Sequence, residues 1–253
     1  MFHVIIPARY AASRLPGKPL LPIAGRPLIQ WVWDCARASG AASVIVATDD
    51  ERIAETAVNF GAECVLTGAQ HASGTDRIAE VVRRRGFAAQ DIIVNLQGDE
   101  PMMPPAVIAE LAAALEARPS IDMATAAARI ESLDQFLDPS CVKALCSLDG
   151  RALYFSRAPV PWPRDGVLEG RPGTFENAWR HIGIYGYRVH SLLEFAAWAP
   201  TSLELVEKLE QLRALEHGMS IHVVALAHAP PAGVDTPQDL ARVRRALEAQ
   251  RGL

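Results

Sequence analysis

No stretch of the 253-residue chain supplies a Gly-x-Gly-x-x-Gly run, which weakens any reading as a dinucleotide-dependent oxidoreductase. Gly17-Lys18 is followed by Pro19 rather than Ser or Thr, and the earlier glycine of a P-loop is missing, so that phosphate motif is absent too. The four cysteines, Cys35, Cys64, Cys141 and Cys146, form no C-x-x-C pair, and the seven histidines show no zinc spacing; reduced, structural thiols follow. Apolar runs are short. None reaches a membrane span, and Pro7 and Arg9 interrupt the only apolar start, so neither a secretory signal nor a membrane partner is expected and the cytoplasm is the expected compartment. A net charge of -4 argues against a nucleic-acid partner, although a local basic patch can hold one small anion. Arg83-Arg84-Arg85 reads as the solvated end of a helix, where cations suit the dipole.

What is present is enough for a large core: 50% of the residues are hydrophobic. Val4 to Ile6 reads as a buried strand that Pro7 ends by removing a ladder donor. Leu28, Ile29, Val32 and Cys35 or Ala36 then space a helix, Val44 to Ala47 a strand, and Glu51 to Phe60 a second helix capped by Thr48-Asp49-Asp50 and stopped by Gly61. Cys64 to Leu66 is a weak strand, and the near-continuous apolar run Ile92 to Leu96 suits a central parallel one. Alternation of strand and helix predicts an α/β fold, with a mostly parallel central sheet flanked by helices and right-handed crossovers. After a helix from Pro104 or Pro105 the pattern changes. Strands at 123–130, 142–148 and 152–156, the last two flanking Asp149-Gly150, suggest a smaller antiparallel lobe at about 123–190 within one domain spanning 1–253. The Pro-, Gly- and Arg-rich stretch 157–173 reads as a loop that moves in the absence of ligand. A strand at 180–188, a helix at 203–217 with Val206, Leu209, Leu212 and Leu215 inward, a strand at 221–226 and a closing helix complete the chain.

Charged residues at the strand ends carry the chemistry. Arg9, Arg14 and Lys18 fall within ten residues on a loop that Pro16, Gly17 and Pro19 keep out of helix and strand. Three mutually repelling cations call for an anion of several charges, and the loop reads as a triphosphate cradle, or as a merely solvated basic loop. Asp99, in Gln97-Gly98-Asp99-Glu100-Pro101, stands just past the central strand, where ligands of open α/β sheets gather, so it is a candidate metal carboxylate as well as a plain turn residue. Thr236 and Asp239 suffice to cap the last helix, which frees Asp235 as a second metal carboxylate, although local pattern alone favours a plain turn residue. Ser73-Gly74-Thr75 opens a helix, and its backbone donors can face a ligand while one hydroxyl caps. His181, Gly183, Tyr185 and Tyr187 share a strand face where Gly183 and Gly186 permit close approach. Glu210, Gln211 and Arg213 by themselves read as a solvated helix face.

These motifs, taken together, resemble one family. Ile6-Pro7-Ala8-Arg9-Tyr10, Arg14 to Leu20, Ser73-Gly74-Thr75-Asp76-Arg77, Gln97 to Pro101, Tyr154-Phe155-Ser156-Arg157, His181 to Tyr187, Leu209 to Arg213 and Val234-Asp235-Thr236-Pro237 stand in the order of the 3-deoxy-manno-octulosonate (Kdo) cytidylyltransferases. The resemblance covers nearly the whole chain and implies a nucleotide-diphospho-sugar transferase, Rossmann-like fold whose smaller lobe makes a homodimer. By the same resemblance Arg9, Arg14 and Lys18 would hold the CTP phosphates, and Ser73, Gly74 and Thr75 the cytidine side, with Ala8 and Gln97 also against the nucleotide. Asp99 and Asp235 would bind Mg2+, while Gln97, Arg157, His181, Tyr185, Glu210 and Gln211 would surround Kdo. Ala12-Ser13 and Arg26 depart from the usual Ser-Thr and Lys of the family. The implied reaction is attack of the sugar's anomeric hydroxyl on the α-phosphorus of CTP, with loss of diphosphate. A sialic acid or 8-amino-Kdo in place of Kdo, or a non-catalytic nucleotide-sugar sensor, are the alternatives.

Overall fold

A computed structural model of the chain describes residues 1–11, 15–164, 175 and 178–250. Arg14 and residues 165–173 of the loop expected to move lie outside the described residues. In the first half, β1 (Phe2–Ala8) leads through the small hairpin β2 (Pro22–Ile23) and β3 (Arg26–Pro27) to α1 (Leu28–Arg37). Then β4 (Val44–Thr48), α2 (Glu51–Asn59), β5 (Glu63–Leu66), α3 (Gly74–Arg85), β6 (Ile92–Asn95) and α4 (Pro105–Glu116) alternate as the sequence pattern requires. Asp50 caps α2 by accepting from Arg52 N, and Ser73 with Asp76 forms a capping box on α3.

The second half holds β7 (Met123–Arg129), the short α5 (Leu133–Leu137), β8 (Lys143–Cys146), β9 (Ala152–Ser156) and β10 (Trp179–Arg188). Three short helices follow, α6 (Val189–Phe195), α7 (Ser202–Glu207) and α8 (Gln211–Glu216), before β11 (Ile221–Leu226) and α9 (Pro237–Gln250). One sheet runs β11-β7-β10-β6-β1-β4-β5, with the β8–β9 hairpin attached to the start of β10. Its pairs are parallel except in the β8–β9 hairpin and along β10, which lies antiparallel between β6 and β7. This is the expected α/β architecture, and the direction of β10 matters for the site. Because Tyr185 pairs with Asn95 at the end of β6, the earlier residues of β10, His181 among them, extend past that end along the rim where ligands of such sheets collect.

The two sheet faces are both covered. Along β1, Val4, Ile6 and Ala8 join the cluster of α1 and α4, while Ile5 joins the opposite cluster with Ile78 and Val81 of α3. Each such aliphatic side chain, fully buried, contributes about 1.5–3 kcal/mol. Pro7 does not end β1 as expected: it lies inside the strand, opposite Ala47. Ile5 O accepts from Leu96 N, so the odd residues of β1 turn toward β6, and β6 has already ended at Asn95 when the chain reaches Pro7. The missing donor has no ladder partner to lose.

The helix expected at 203–217 is two helices. Lys208 adopts φ 55, a left-handed conformation that ends α7, with its N–H on Glu204 O at 2.7 Å. The break shifts the helical phase. Val206, expected inward, is 81% exposed, whereas Gln211 and Arg213, expected on a solvated face, are only 4% and 6% exposed. Arg213 lies against the ring of Phe195 and pairs with Glu204 at 2.6 Å.

The hairpin's anchor is a cation. Lys143 is fully buried, and its ammonium donates to Asp138 O, Cys141 O and Arg157 O at 2.8, 2.6 and 3.0 Å. All three donors of the ammonium are satisfied by carbonyls that no other group replaces. Lys143→Met is expected to lower the unfolding free energy by about 2–3 kcal/mol in urea denaturation, because all three charge-assisted bonds of the ammonium are lost at once.

Candidate active site

Four loops meet at the carboxyl ends of β1 and β6 around a cavity of about 290 Å³. The loop after β1 contributes Ala8, Arg9 and Lys18; the turn before α3 contributes Ser73 and Gly74; the turn after β6 contributes Gln97 and Asp99; and the segment before α9 contributes Asp235. Glycine makes the close approach possible: a Cβ on Gly98 would stand 2.8 Å from Pro7 O. Gly17, at φ 70, turns the first loop over the ring of Tyr10, which Arg52 stacks from its guanidinium.

Lys18 ties the cavity together. Its ammonium donates to Asp99 Oδ2 at 2.7 Å, to Val234 O at 2.8 Å and to Asp235 Oδ1 at 3.2 Å. Val234 N in turn donates to Asp99 O at 2.8 Å, so the two acidic loops are bound to each other through backbone as well as through the cation. Two carboxylate oxygens converging on one positive point are the hard donors that a magnesium ion accepts, with water completing its shell. Among the described residues no group of three His, Cys, Asp or Glu side chains forms a metal cluster. Glu100, left without a role by the sequence, lies beside the pair. Burial, then the charges of Asp99 and Asp235, push its carboxyl up to about 8, so it adds no third negative charge at neutral pH.

From the same cavity a polar wall runs along β10. Gln97 Nε2 donates to Asn95 Oδ1 at 2.9 Å, and Asn95 is the ladder partner of Tyr185. The Tyr185 ring lies 5.5 Å from His181. His181 Nε2 is 2.9 Å from Thr125 Oγ1, and burial pushes its imidazole down to about 3. Thr75 donates to Glu210 Oε2 at 2.8 Å, joining the α3 turn to α8. Burial raises the Glu210 carboxyl. Gln211 Nε2 is buried without a hydrogen-bond partner among the described residues, a cost that a polar ligand would remove.

Most residues singled out in the sequence therefore meet here. Ala8, Arg9, Lys18, Ser73, Gly74, Gln97, Asp99 and Asp235 line the cavity, and Thr75, His181, Tyr185 and Glu210 connect with its wall through the contacts above, with Gln211 next to Glu210 in the chain. Arg157 does not join them. Its guanidinium is engaged with Glu207 O at 2.6 Å and Pro139 O at 3.0 Å, just past the end of β9. The sequence reading passed over Asn95, a polar residue ending an apolar strand, and His71, which also lines the cavity. The former had a visible signal in that break of pattern.

The sheet order, the rim cavity and the cation between two carboxylates define an α/β protein with a polar, charged ligand site at the carboxyl ends of its strands. The model of the Cytidylyltransferase family matches residues 3–221. The chain belongs to the 3-deoxy-manno-octulosonate cytidylyltransferase family. It is 55% identical to the protein of that name from Pseudomonas fluorescens and 49% identical to that from Vibrio vulnificus, over 98% of this chain and 98% and 99% of theirs. It is also similar to the solved structure of a CMP:2-keto-3-deoxy-manno-octonic acid synthetase complexed with CTP, with a TM-score of 0.89, 41% identity and 99% of both chains covered. A cytidylyltransferase from Leptospira borgpetersenii shares the fold at a TM-score of 0.63 and 15% identity.

Enclosure of His181 makes a direct expectation: its imidazole stays neutral from about pH 5 to 8, the range over which an ordinary histidine titrates. Long-range proton–nitrogen NMR should show no shift of its ring nitrogens in that window.

Proposed function

We propose that the protein transfers CMP from CTP to Kdo, giving CMP-Kdo and diphosphate. The observation that carries this reading is Lys18, held between Asp99 and Asp235 at the mouth of a cavity lined by Arg9. Arg9 and Lys18 offer a fork and a point charge to phosphate oxygens, and Arg14, on the same loop, is assigned to the same triphosphate. These cations stabilise the charge that collects on the departing diphosphate. Asp99 and Asp235 would hold a magnesium ion, which when bound supplies Lewis-acid polarisation of the phosphoryl oxygens. Ser73, Gly74 and Thr75 take the cytidine side.

Gln97, His181, Tyr185, Glu210 and Gln211 are assigned to the sugar acid. A neutral His181 and the unpartnered amide of Gln211 suit a ligand rich in hydroxyl groups, which both donates and accepts. Fixing the sugar's anomeric oxygen beside the α-phosphorus converts an encounter of two solutes into a local displacement. Arg157 belongs to this set by the family motif, and its bonds to Glu207 O and Pro139 O engage Nε and Nη1.

We assign the protein to the cytoplasm and to a homodimer. Leu153 on β9 and Leu205 and Val206 on α7 are 60%, 52% and 81% exposed, apolar surface that a second copy would cover. No helix among the described residues is long and apolar enough to cross a membrane. Val206→Glu is expected to shift the sedimentation coefficient from dimer to monomer.

Diphosphate release measured with each nucleoside triphosphate, with Kdo or another acidic sugar, and with magnesium tests the activity. Release is expected with CTP and Kdo, and preference for a sialic acid or 8-amino-Kdo would replace the sugar assignment. Asp99→Asn, folded, is expected to lower turnover by about a hundredfold or more. Near-normal turnover of that variant would remove Asp99 from the mechanism.

A further inference from the structure

Of the ionisable side chains lining the cavity, the reading above leaves His71 and Arg77 without a task; Arg77 is paired with Asp49 at 3.0 Å, which leaves His71. It comes from the loop leaving β5, whereas the partners of Lys18 come from the loop after β6 and the segment before α9. Its ring is clamped. Nε2 lies against Glu80 Oε2 on α3, the same oxygen accepts from Gly68 N at 3.0 Å, and Glu80 Oε1 pairs with Arg84. The side chains of His71 and Glu80 are only 15% and 17% exposed.

This arrangement determines which ring nitrogen carries the proton. The Glu80 carboxyl is held below its ordinary value by His71, Gly68 N and Arg84 acting against burial, so it is ionised. A carboxylate only accepts, hence Nε2 bears the hydrogen and donates it to Glu80. In the neutral ring Nδ1 then carries a lone pair. Nδ1 makes no hydrogen bond to a described residue, and His71 stands in the cavity lining. A wall made of an acceptor backed by a carboxylate repels phosphate and welcomes an N–H donor. The triphosphate, drawn to Lys18 and Arg9, leaves that wall to the other end of the nucleotide, the base.

We propose that His71 is a specificity-determining residue that accepts a hydrogen bond from the exocyclic amine of cytosine, with Glu80 as the positioning residue that fixes its tautomer. This rests on the nucleotidyl-transfer reading above. Uracil presents a carbonyl oxygen where cytosine presents the amine, so acceptor would face acceptor, and the buried lone pairs would go unsatisfied. Discrimination between the two pyrimidines is thereby written into a side chain that touches no phosphate.

The test is the ratio of kcat/KM for CTP to that for UTP, measured by diphosphate release in wild type, His71→Ala and Glu80→Gln, each checked for folding by circular dichroism. His71→Ala is expected to lose about ten- to hundredfold with CTP and to change little with UTP, so that the ratio collapses. Glu80→Gln can donate its amide to Nε2 and so permits the tautomer with Nδ1–H outward; its ratio is expected to fall about tenfold by a gain with UTP as well as a loss with CTP. An equal fall with both nucleotides in the folded variants, or an unchanged ratio, overturns the role of His71 and leaves the activity standing. A wild-type protein that releases no diphosphate with any nucleotide overturns the activity itself, a different result from either.

Discussion

The ammonium of Lys18 lies between carboxylates that enter the fold 81 and 217 residues away from it in sequence. Without that cation Asp99 and Asp235 would repel each other at short range on two separate loops, and the rim of the sheet would open. With it, the loop after β1, the turn after β6 and the segment before α9 form one wall, reinforced by Val234 N on Asp99 O. The cavity is thus a product of charge balance as much as of shape. The same balance suits its ligand, since a triphosphate offers Lys18 alternative oxygens and a divalent ion offers the aspartates an alternative cation.

Around that wall the fold uses rigidity sparingly and in specific places. Both faces of the sheet are buried, so the strand ends that carry the site are immobile supports. The antiparallel insertion of β10 brings a row of aromatic and imidazole rings, His181, Tyr185 and Tyr187, to the same edge as Gln97. Two of the buried polar atoms without a partner among the described residues, Glu210 Oε1 and Gln211 Nε2, belong to adjacent residues at the start of α8, and Glu210 is tied to Thr75 of the cavity's α3 turn. An unsatisfied buried donor is costly, and it remains affordable where a ligand satisfies it during the working cycle.

Much of this was legible in one dimension because the signals are local. Apolar runs at β1, β4 and β6, the Ser73–Asp76 and Thr236–Asp239 caps, and Gly61 as a helix stop each depend on neighbours a few residues apart. Where the reading failed, the decisive partner was distant. Pro7 stays inside β1 only because β6 stops short of it, and the helix expected at 203–217 breaks at Lys208 in a left-handed conformation that no residue pattern announced.

What the order of residues determined by itself is therefore the class of fold, the family, and the types of charged side chain available at the strand ends, since periodicity and motif are properties of a chain alone. Only the tertiary structure decided which of those side chains meet. Lys18 reaches both aspartates, Thr75 reaches Glu210, and His71, in the cavity lining, meets Glu80 of α3. Coulomb attraction and hydrogen bonding fall off within a few ångströms, so such pairings exist only once strand order and crossover direction have brought remote segments to a common edge.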